Sequence, residues 1–223
     1  MPTPASVATS NLRLASGLPC IQPLTLVPRP DPFDDPEWLF EPKYDGLRAV
    51  LYSSSLGCEI RSARDQRLDR FLELWDRVAR VLRGREAILD GEIVSLDRHG
   101  KPVLQDLHRG QGYLAFAAFD LVWLDGQDLR IHALSRRKAL LGELLPEDTG
   151  PLYKILTIEE HGRALYGAVK RMDLEGIVGK RVDEPYAPTT TWYKIGNPAY
   201  PHHHAQGELF QPTRRPQRAG QDG

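Results

Sequence analysis

The sequence has no run of about eighteen apolar residues, the length that a membrane-spanning helix needs. Its start, Met1 to Pro19, lacks the basic opening and apolar centre of a secretory signal. Neither membrane insertion nor export is therefore expected, and a soluble cytoplasmic protein is. Cysteine is scarce: Cys20 and Cys58 stand alone, with no CxxC or metal-ligand spacing. Two isolated thiols fit a reducing compartment. Charge of one sign is also lacking. The formal net charge is −1, so no global basic field announces a nucleic-acid partner. No internal repeat is visible.

What is present suits one sizeable domain with tails, given 223 residues of which 41% are hydrophobic. Residues 1–36 carry closely spaced Pro28, Pro30, Pro32 and Pro36 and read as an extended lead-in. Residues 198–223 hold His202, His203 and His204, then Arg214, Arg215 and Arg218, and read as a flexible basic tail. Three adjacent histidines in a loop cannot readily converge on one ion, so a tolerated loop is the better reading. The domain proper is expected over residues 37–197.

Inside it, strand and helix patterns mix without the regular alternation of a parallel doubly wound sheet. Leu47–Tyr52 reads as a strand. Leu68, Phe71, Leu72, Trp75, Val78, Ala79 and Leu82 recur at helical spacing, predicting an amphipathic helix over 68–83. Residues 87–89 and 93–96 read as strand on either side of a break at Asp90-Gly91-Glu92. The apolar run Leu114–Leu124 ends at the turn signal Asp125-Gly126. Residues 136–145 and 159–172 look helical, and Ile177-Val178 and Trp192–Ile195 are short strand candidates. The mixture predicts an α+β domain.

Between Arg61 and Arg85, eight arginines face four carboxylates, Asp65, Asp69, Glu73 and Asp76. On charge alone this is a solvated helix face. A phosphate-facing edge is the alternative, and it needs support from elsewhere in the chain.

Lys43-Tyr44-Asp45-Gly46-Leu47-Arg48 packs a lysine, an aspartate and an arginine around a glycine, more than a strand entry requires. A lysine amine must lose its proton to attack phosphorus, and phosphoryl chemistry also needs cations on phosphate oxygens and carboxylates for a divalent metal. The rest of the chain supplies both. Glu92 follows Asp90-Gly91, Glu175 precedes Gly176, and Lys180, Arg181 and Lys194 lie downstream, while Phe119 could stack on a base. Each fragment alone has an ordinary structural explanation. Their joint occurrence in this order carries the functional reading.

In that order the sequence resembles the nucleotidyltransferase (adenylation) domain of the ATP-dependent DNA ligases, the compact bacterial kind in particular. The matching segments are Glu41–Arg48 (a KxDGxR pattern), Leu89–Val94, Phe119–Gly126, Glu175–Arg181 and Thr191–Lys194. The resemblance spans roughly residues 19–210. It implies two mostly antiparallel sheets flanked by helices, with a nucleotide cleft between them, the covalent nucleotidyltransferase or ATP-grasp-like ligase fold.

The resemblance also implies roles. Lys43 would take AMP from ATP as a phosphoramide, with Asp45 helping to position it. Glu41 would sit by the adenine and Phe119 would stack on it. Arg48 and Glu92 would bind the ribose side, and Lys180 and Lys194 the phosphates. Glu92 and Glu175 would hold Mg²⁺ or Mn²⁺. Arg61 or Arg64 would meet DNA phosphate, although the local pattern Ser62-Ala63-Arg64-Asp65 leaves the choice between them open. The substrate implied is nicked double-stranded DNA, in repair or recombination, with the protein a monomer.

Two departures stand out. Gly196 occupies the place of a second lysine in the Trp192-Tyr193-Lys194 segment. Twenty-nine residues follow Lys194, too few for the five-stranded OB domain that many such ligases carry, so a minimal form without it is expected. A repair partner could then supply the missing DNA grip. An RNA ligase or a capping-type nucleotidyltransferase is the neighbouring alternative. A nucleotide-binding or DNA-end-binding module without turnover is the alternative from another class.

Overall fold

The computed structural model describes residues 17–146 and 150–201. In chain order the first half builds β1 (Leu26–Pro28), β2 (Trp38–Lys43), β3 (Leu47–Ser54), β4 (Gly57–Ser62), α1 (Leu72–Leu82), β5 (Ala87–Leu96), α2 (Leu104–Arg109) and β6 (Tyr113–Leu124). The second half adds β7 (Gln127–Asp128), α3 (Leu134–Leu144), β8 (Leu152–Lys154), β9 (Ile158–Glu159), α4 (Gly162–Arg171), β10 (Gly176–Arg181) and β11 (Trp192–Gly196). These strands form two sheets. One runs β1-β11-β10-β2-β9, the other β4-β3-β5-β6-β7 with β8 beside β6. Only β1 with β11 and β6 with β8 pair in parallel. The fold is α+β with two mostly antiparallel sheets, as the resemblance implies.

Strand β3 shows why its sequence is apolar without alternation. Ala49 and Leu51 point to α1, together with Leu74, Trp75, Val78 and Leu82 of that helix. Val50 and Tyr52 point the other way, into a core shared with Val178, Tyr186 and Trp192. Successive residues of a strand face opposite sides, so a strand covered on both sides reads as a continuous apolar run. The far side of the first sheet is closed by α4, with Leu165 and Val169 packed on Phe40, Ile177 and Ile195. The order of layers is thus α1, second sheet, cleft, first sheet, α4.

Several sequence expectations change. The helix expected over 68–83 is α-helical only from Leu72 to Leu82, after a 3-10 turn at Asp69–Phe71, and Leu72 itself is exposed. The expected break at Asp90-Gly91-Glu92 is absent: β5 runs straight through it. A Cβ on Gly91 would strike the Phe116 ring and the Ala117 carbonyl, so the glycine serves close packing between strands. The helix expected over 159–172 starts at Gly162, because Ile158 and Glu159 pair with β2 as β9. Helix α3 begins two residues before the expected start. The turn at Asp125-Gly126 is where it was expected, with positive φ at both residues.

Part of the segment read as a lead-in is built into the packed unit. Leu18, Ile21 and Leu24 are buried in the core between the sheets. The Tyr52 hydroxyl accepts from the Ile21 amide at 3.0 Å, and β1 pairs with β11. Proline-rich spacing hid this, because burial of three apolar side chains spread over seven residues matches neither the helical nor the strand period. His202, His203, His204 and the tail arginines lie outside the described residues.

Candidate functional site

Lys43 ends β2, and the chain enters the other sheet at Leu47. Gly46 allows the crossing: a Cβ there would meet the Ile93 carbonyl and the Glu92 side chain. The crossing sets Lys43, Tyr44 and Arg48 on the walls of a cleft between the sheets. Glu41, Lys180 and Trp192 of the first sheet and Glu92 and Phe119 of the second complete its polar and aromatic lining, with Leu26, Ile155 and Val178 supplying apolar surface.

Register divides this cleft into two ends. Gly176 lies opposite Lys43, Val178 opposite Glu41 and Lys180 opposite Leu39. Four residues of strand separate Gly176 from Lys180, about 13 Å at the usual rise.

At the Lys180 end, one buried carboxylate holds two ammonium groups. Glu41 pairs with Lys180 at 2.6 Å and with Lys138 of α3 through its other oxygen, to which Thr157 also donates at 3.3 Å. Burial alone would raise the Glu41 carboxyl, but Lys138 and Lys180 hold it below the ordinary value. Burial pushes Lys180 down to about 8, against the pull of Glu41. Its ammonium lies 3.9 Å from the Trp192 ring centroid and 4.5 Å from that of Phe119. Lys180, expected on phosphate, lies against Glu41 and the two rings, four residues of strand beyond the partner of Lys43.

Phe119 reaches the cleft through a bulge. Asp90 pairs with Asp120 but Gly91 pairs with Ala118, so β6 carries Phe119 as an extra residue and the alternation shifts there. Beneath it, Asp90 and Asp120 are fully buried and each is met by an arginine fork. Arg48 binds Asp90 at 2.8 and 2.7 Å, and Arg137 binds Asp120 at 2.8 Å through each of two nitrogens. Tyr186 donates to Asp90 at 2.7 Å. The Arg48 guanidinium also stacks 4.7 Å from the Phe119 centroid, which fixes both side chains at the cleft wall.

At the other end Lys43 Nζ is 2.5 Å from Glu175 Oε2, both partly exposed. Glu92, opposite Arg48 across β3 and β5, is pushed up to about 8. Burial is the main cause, Glu175 and Asp45 add to it, and Lys43 and Arg48 oppose it. Asp45 is buried and accepts from the Tyr200 hydroxyl at 3.1 Å. Lys194 follows Trp192 by two residues on the same face of β11, exposed where Trp192 is buried. Among the described residues no three His, Cys, Asp or Glu side chains converge as a ready metal cage. Yet Glu92 is a carboxylate short of countercharge beside a second one, which suits an ion that takes one or two protein carboxylates and fills its shell with phosphate oxygens and water.

The two arginines expected on DNA phosphate lie outside the cleft, at the edge strand β4 and its following turn. Arg61 is already engaged by Glu59 at 2.5 Å and by Asp65 at 3.1 Å. Arg64 is exposed.

Sequence reasoning missed Lys138, Arg137, Tyr186 and Tyr200. Arg136-Arg137-Lys138 reads as a solvated helix face, and only the buried carboxylates Asp120 and Glu41, distant in sequence, show that two of the three point inward.

Comparison with known proteins agrees with this geometry. Residues 31–195 match the family model described as ATP dependent DNA ligase domain. The multifunctional non-homologous end joining protein LigD of Pseudomonas aeruginosa is 32% identical over 173 residues, covering 71% of this chain and 20% of that protein. The SPbeta prophage-derived DNA ligase-like protein LigB of Bacillus subtilis is 26% identical over 190 residues, 81% of this chain and 68% of that one. A solved mycobacterial DNA ligase D complexed with ATP and MES superposes with a TM-score of 0.70 at 26% identity, covering 78% of this chain and 60% of the other. The chain spans about one fifth of the length of the LigD proteins it matches.

Proposed function

The chain belongs to the ATP-dependent DNA ligase domain family, and on that premise we propose that it is a DNA ligase that first adenylates itself on Lys43. The observation that carries this reading is the placement of Lys43 at one end of a cleft whose other end holds the Phe119 and Trp192 rings beside the buried Glu41–Lys180 pair. A nucleotide bound along the cleft has its base beside Phe119, Trp192 and Glu41 and its α-phosphate at Lys43.

The Lys43 amine attacks the α-phosphorus of ATP, an N–P bond forms, and the bond to the β-phosphate oxygen breaks to release pyrophosphate. Glu175, 2.5 Å away, is the carboxylate placed to hold the ammonium and accept its proton. Lys194, at the mouth on the same face as Trp192, meets the phosphate oxygens. Arg48, clamped by Asp90, is fixed as a wall for the sugar rather than free to follow the ligand. Glu92 and Glu175 are the residues that would hold a divalent cation, Mg²⁺ or Mn²⁺, which supplies charge stabilisation on the phosphate oxygens.

In the following steps a 5′-phosphate oxygen at a nick displaces Lys43 from AMP. The neighbouring 3′-hydroxyl then attacks that 5′-phosphate and AMP leaves. Arg64, exposed and unengaged by the carboxylates that hold Arg61, is the better candidate for nick phosphate. The relatives named for non-homologous end joining support a place in end-joining repair; a cytoplasmic location and a partner protein that adds grip on DNA belong to the same proposal.

The test is a two-stage assay with labelled nucleotide and Mg²⁺ or Mn²⁺. The protein should take label from ATP, then seal nicked duplex DNA without further ATP. Label from GTP alone would point to a capping-type enzyme, and sealing of RNA nicks alone to an RNA ligase. No label under any condition would reject turnover.

A further inference from the structure

The base end of the cleft holds a charge arrangement that the adenylation chemistry at Lys43 does not require. Glu41 is 2% exposed and its two oxygens are each met by an ammonium: Lys180 from β10 and Lys138 from α3. Thr157 donates to the same oxygen as Lys138. Asp120, the other charge near Lys180, is itself satisfied by Arg137. Lys180 is turned against the Trp192 and Phe119 rings. Glu41 therefore presents only its remaining lone pairs to the cleft.

An ionised carboxylate accepts hydrogen bonds and donates none, whereas a protonated one also donates. Fully buried carboxyls keep their charge only when paired. With Lys138 gone, Glu41 would keep one cation, Lys180, itself buried among rings, and the long hydrogen bond from Thr157. The carboxyl would then be free to take up a proton, to turn, or both.

We propose that Lys138 is a positioning residue that fixes Glu41 as an acceptor-only carboxylate, and thereby sets a preference for a purine with an amine, over one with a carbonyl, at the ring edge facing Glu41. An amine donates to such a carboxylate. A carbonyl oxygen meets it lone pair to lone pair, leaving two buried acceptors unpaired. The inference rests on the reading of the cleft as an ATP site. Lys138 acts through Glu41 and through its charge on the neighbouring Lys180, both at the base end of the cleft.

The experiment compares wild type, Lys138→Met and Lys138→Arg, each shown folded by its thermal transition, in covalent labelling of Lys43 by ATP and by GTP across concentration. Binding of adenosine and guanosine, which lack phosphates, is measured by calorimetry on the same proteins. In Lys138→Met the KM for ATP rises and the ATP-over-GTP preference falls, each about tenfold, the scale of one misplaced buried hydrogen bond. The rate at saturating ATP holds, because only binding at the base is altered. Adenosine loses affinity in parallel, and Lys138→Arg restores all three readouts. Should Lys138→Met not fold, Lys138→Gln takes its place, with the same outcomes expected. A folded variant with wild-type KM, preference and adenosine affinity overturns the role of Lys138 while leaving the ATP site intact. A wild-type protein that takes label from neither nucleotide overturns the parent reading and this one with it.

Discussion

Glu41 sits between two ammonium groups with almost no water around it. Its carboxyl is held below its ordinary value of 4.5, so it adds stability above that pH and the contribution is lost as pH falls through the depressed folded value. Replacing it by glutamine leaves two buried cations without their anion. The stability gap between wild type and Glu41→Gln should therefore be widest above about pH 4.5 and narrow on further acidification, read from denaturant midpoints across pH. A gap independent of pH would show that Glu41 is not ionised in the folded protein. Gly196 offers the opposite kind of change. It shares a strand face with Trp192 and Lys194, and an added Cβ meets nothing within 4 Å. Gly196→Lys should fold normally and speed self-adenylation by about tenfold or more, if phosphate lacks a cation there. If wild type takes no label while the variant does, Lys194 alone is not enough.

At the scale of elements, α1 shows how much of the second sheet's stability comes from one helix face. Phe71, Leu74, Trp75, Val78 and Leu82 are buried against β3, β5 and β6. Trp75→Ala leaves a large cavity that the sheet cannot collapse to fill, and should cost about 3–5 kcal/mol in urea unfolding. A loss below about 1 kcal/mol would mean that the helix does not pack as described. Of the arginines that the sequence singled out, α1 carries Arg77, half-buried over the Tyr113 ring, and Arg80, exposed on the face away from the sheet. Strands β5 and β6 matter for another reason. Their mismatch at Phe119 sends a ring into the cleft, and it arises where Gly91 and Phe116 must pass each other closely. The periodicity of an isolated sequence cannot reveal this, because a bulge is defined by the partner strand. The same applies to β5 itself: its Asp-Gly pair reads as a turn locally, and only Phe116 explains why a glycine is needed inside a strand.

For the whole molecule, the two sheets are joined by two short crossings, Lys43–Leu47 and Lys154–Ile158, and by the residues that pack between them. Leu18, Ile21 and Leu24 belong to that packing, although they precede every one of the strands named above. Removing residues 1–25 should lower stability by at least about 3 kcal/mol, since each buried leucine or isoleucine contributes roughly 1.5–3 kcal/mol. An unchanged urea midpoint would contradict their place in the core. The sequence made the α+β class legible, and with it the cleft residues Lys43, Glu92 and Phe119 and the Lys43 partner Glu175, because their joint occurrence in that order is specific. It did not reveal the two ends of the cleft. The pairing of Lys180 with Glu41 appears only once β10 is laid antiparallel to β2, and Lys138 reads as a surface charge until α3 is placed over Glu41. Both facts depend on register and packing between residues far apart in the chain.

The central claim is that Lys43 carries the nucleotide. Wild type and Lys43→Ala are incubated with ATP and Mg²⁺, and their intact masses and peptide maps are recorded. Wild type should gain the mass of one AMP, mapped to Lys43 and released by acid, while Lys43→Ala gains none. AMP on Lys43→Ala, or AMP mapped to another residue of the wild-type protein, would contradict it.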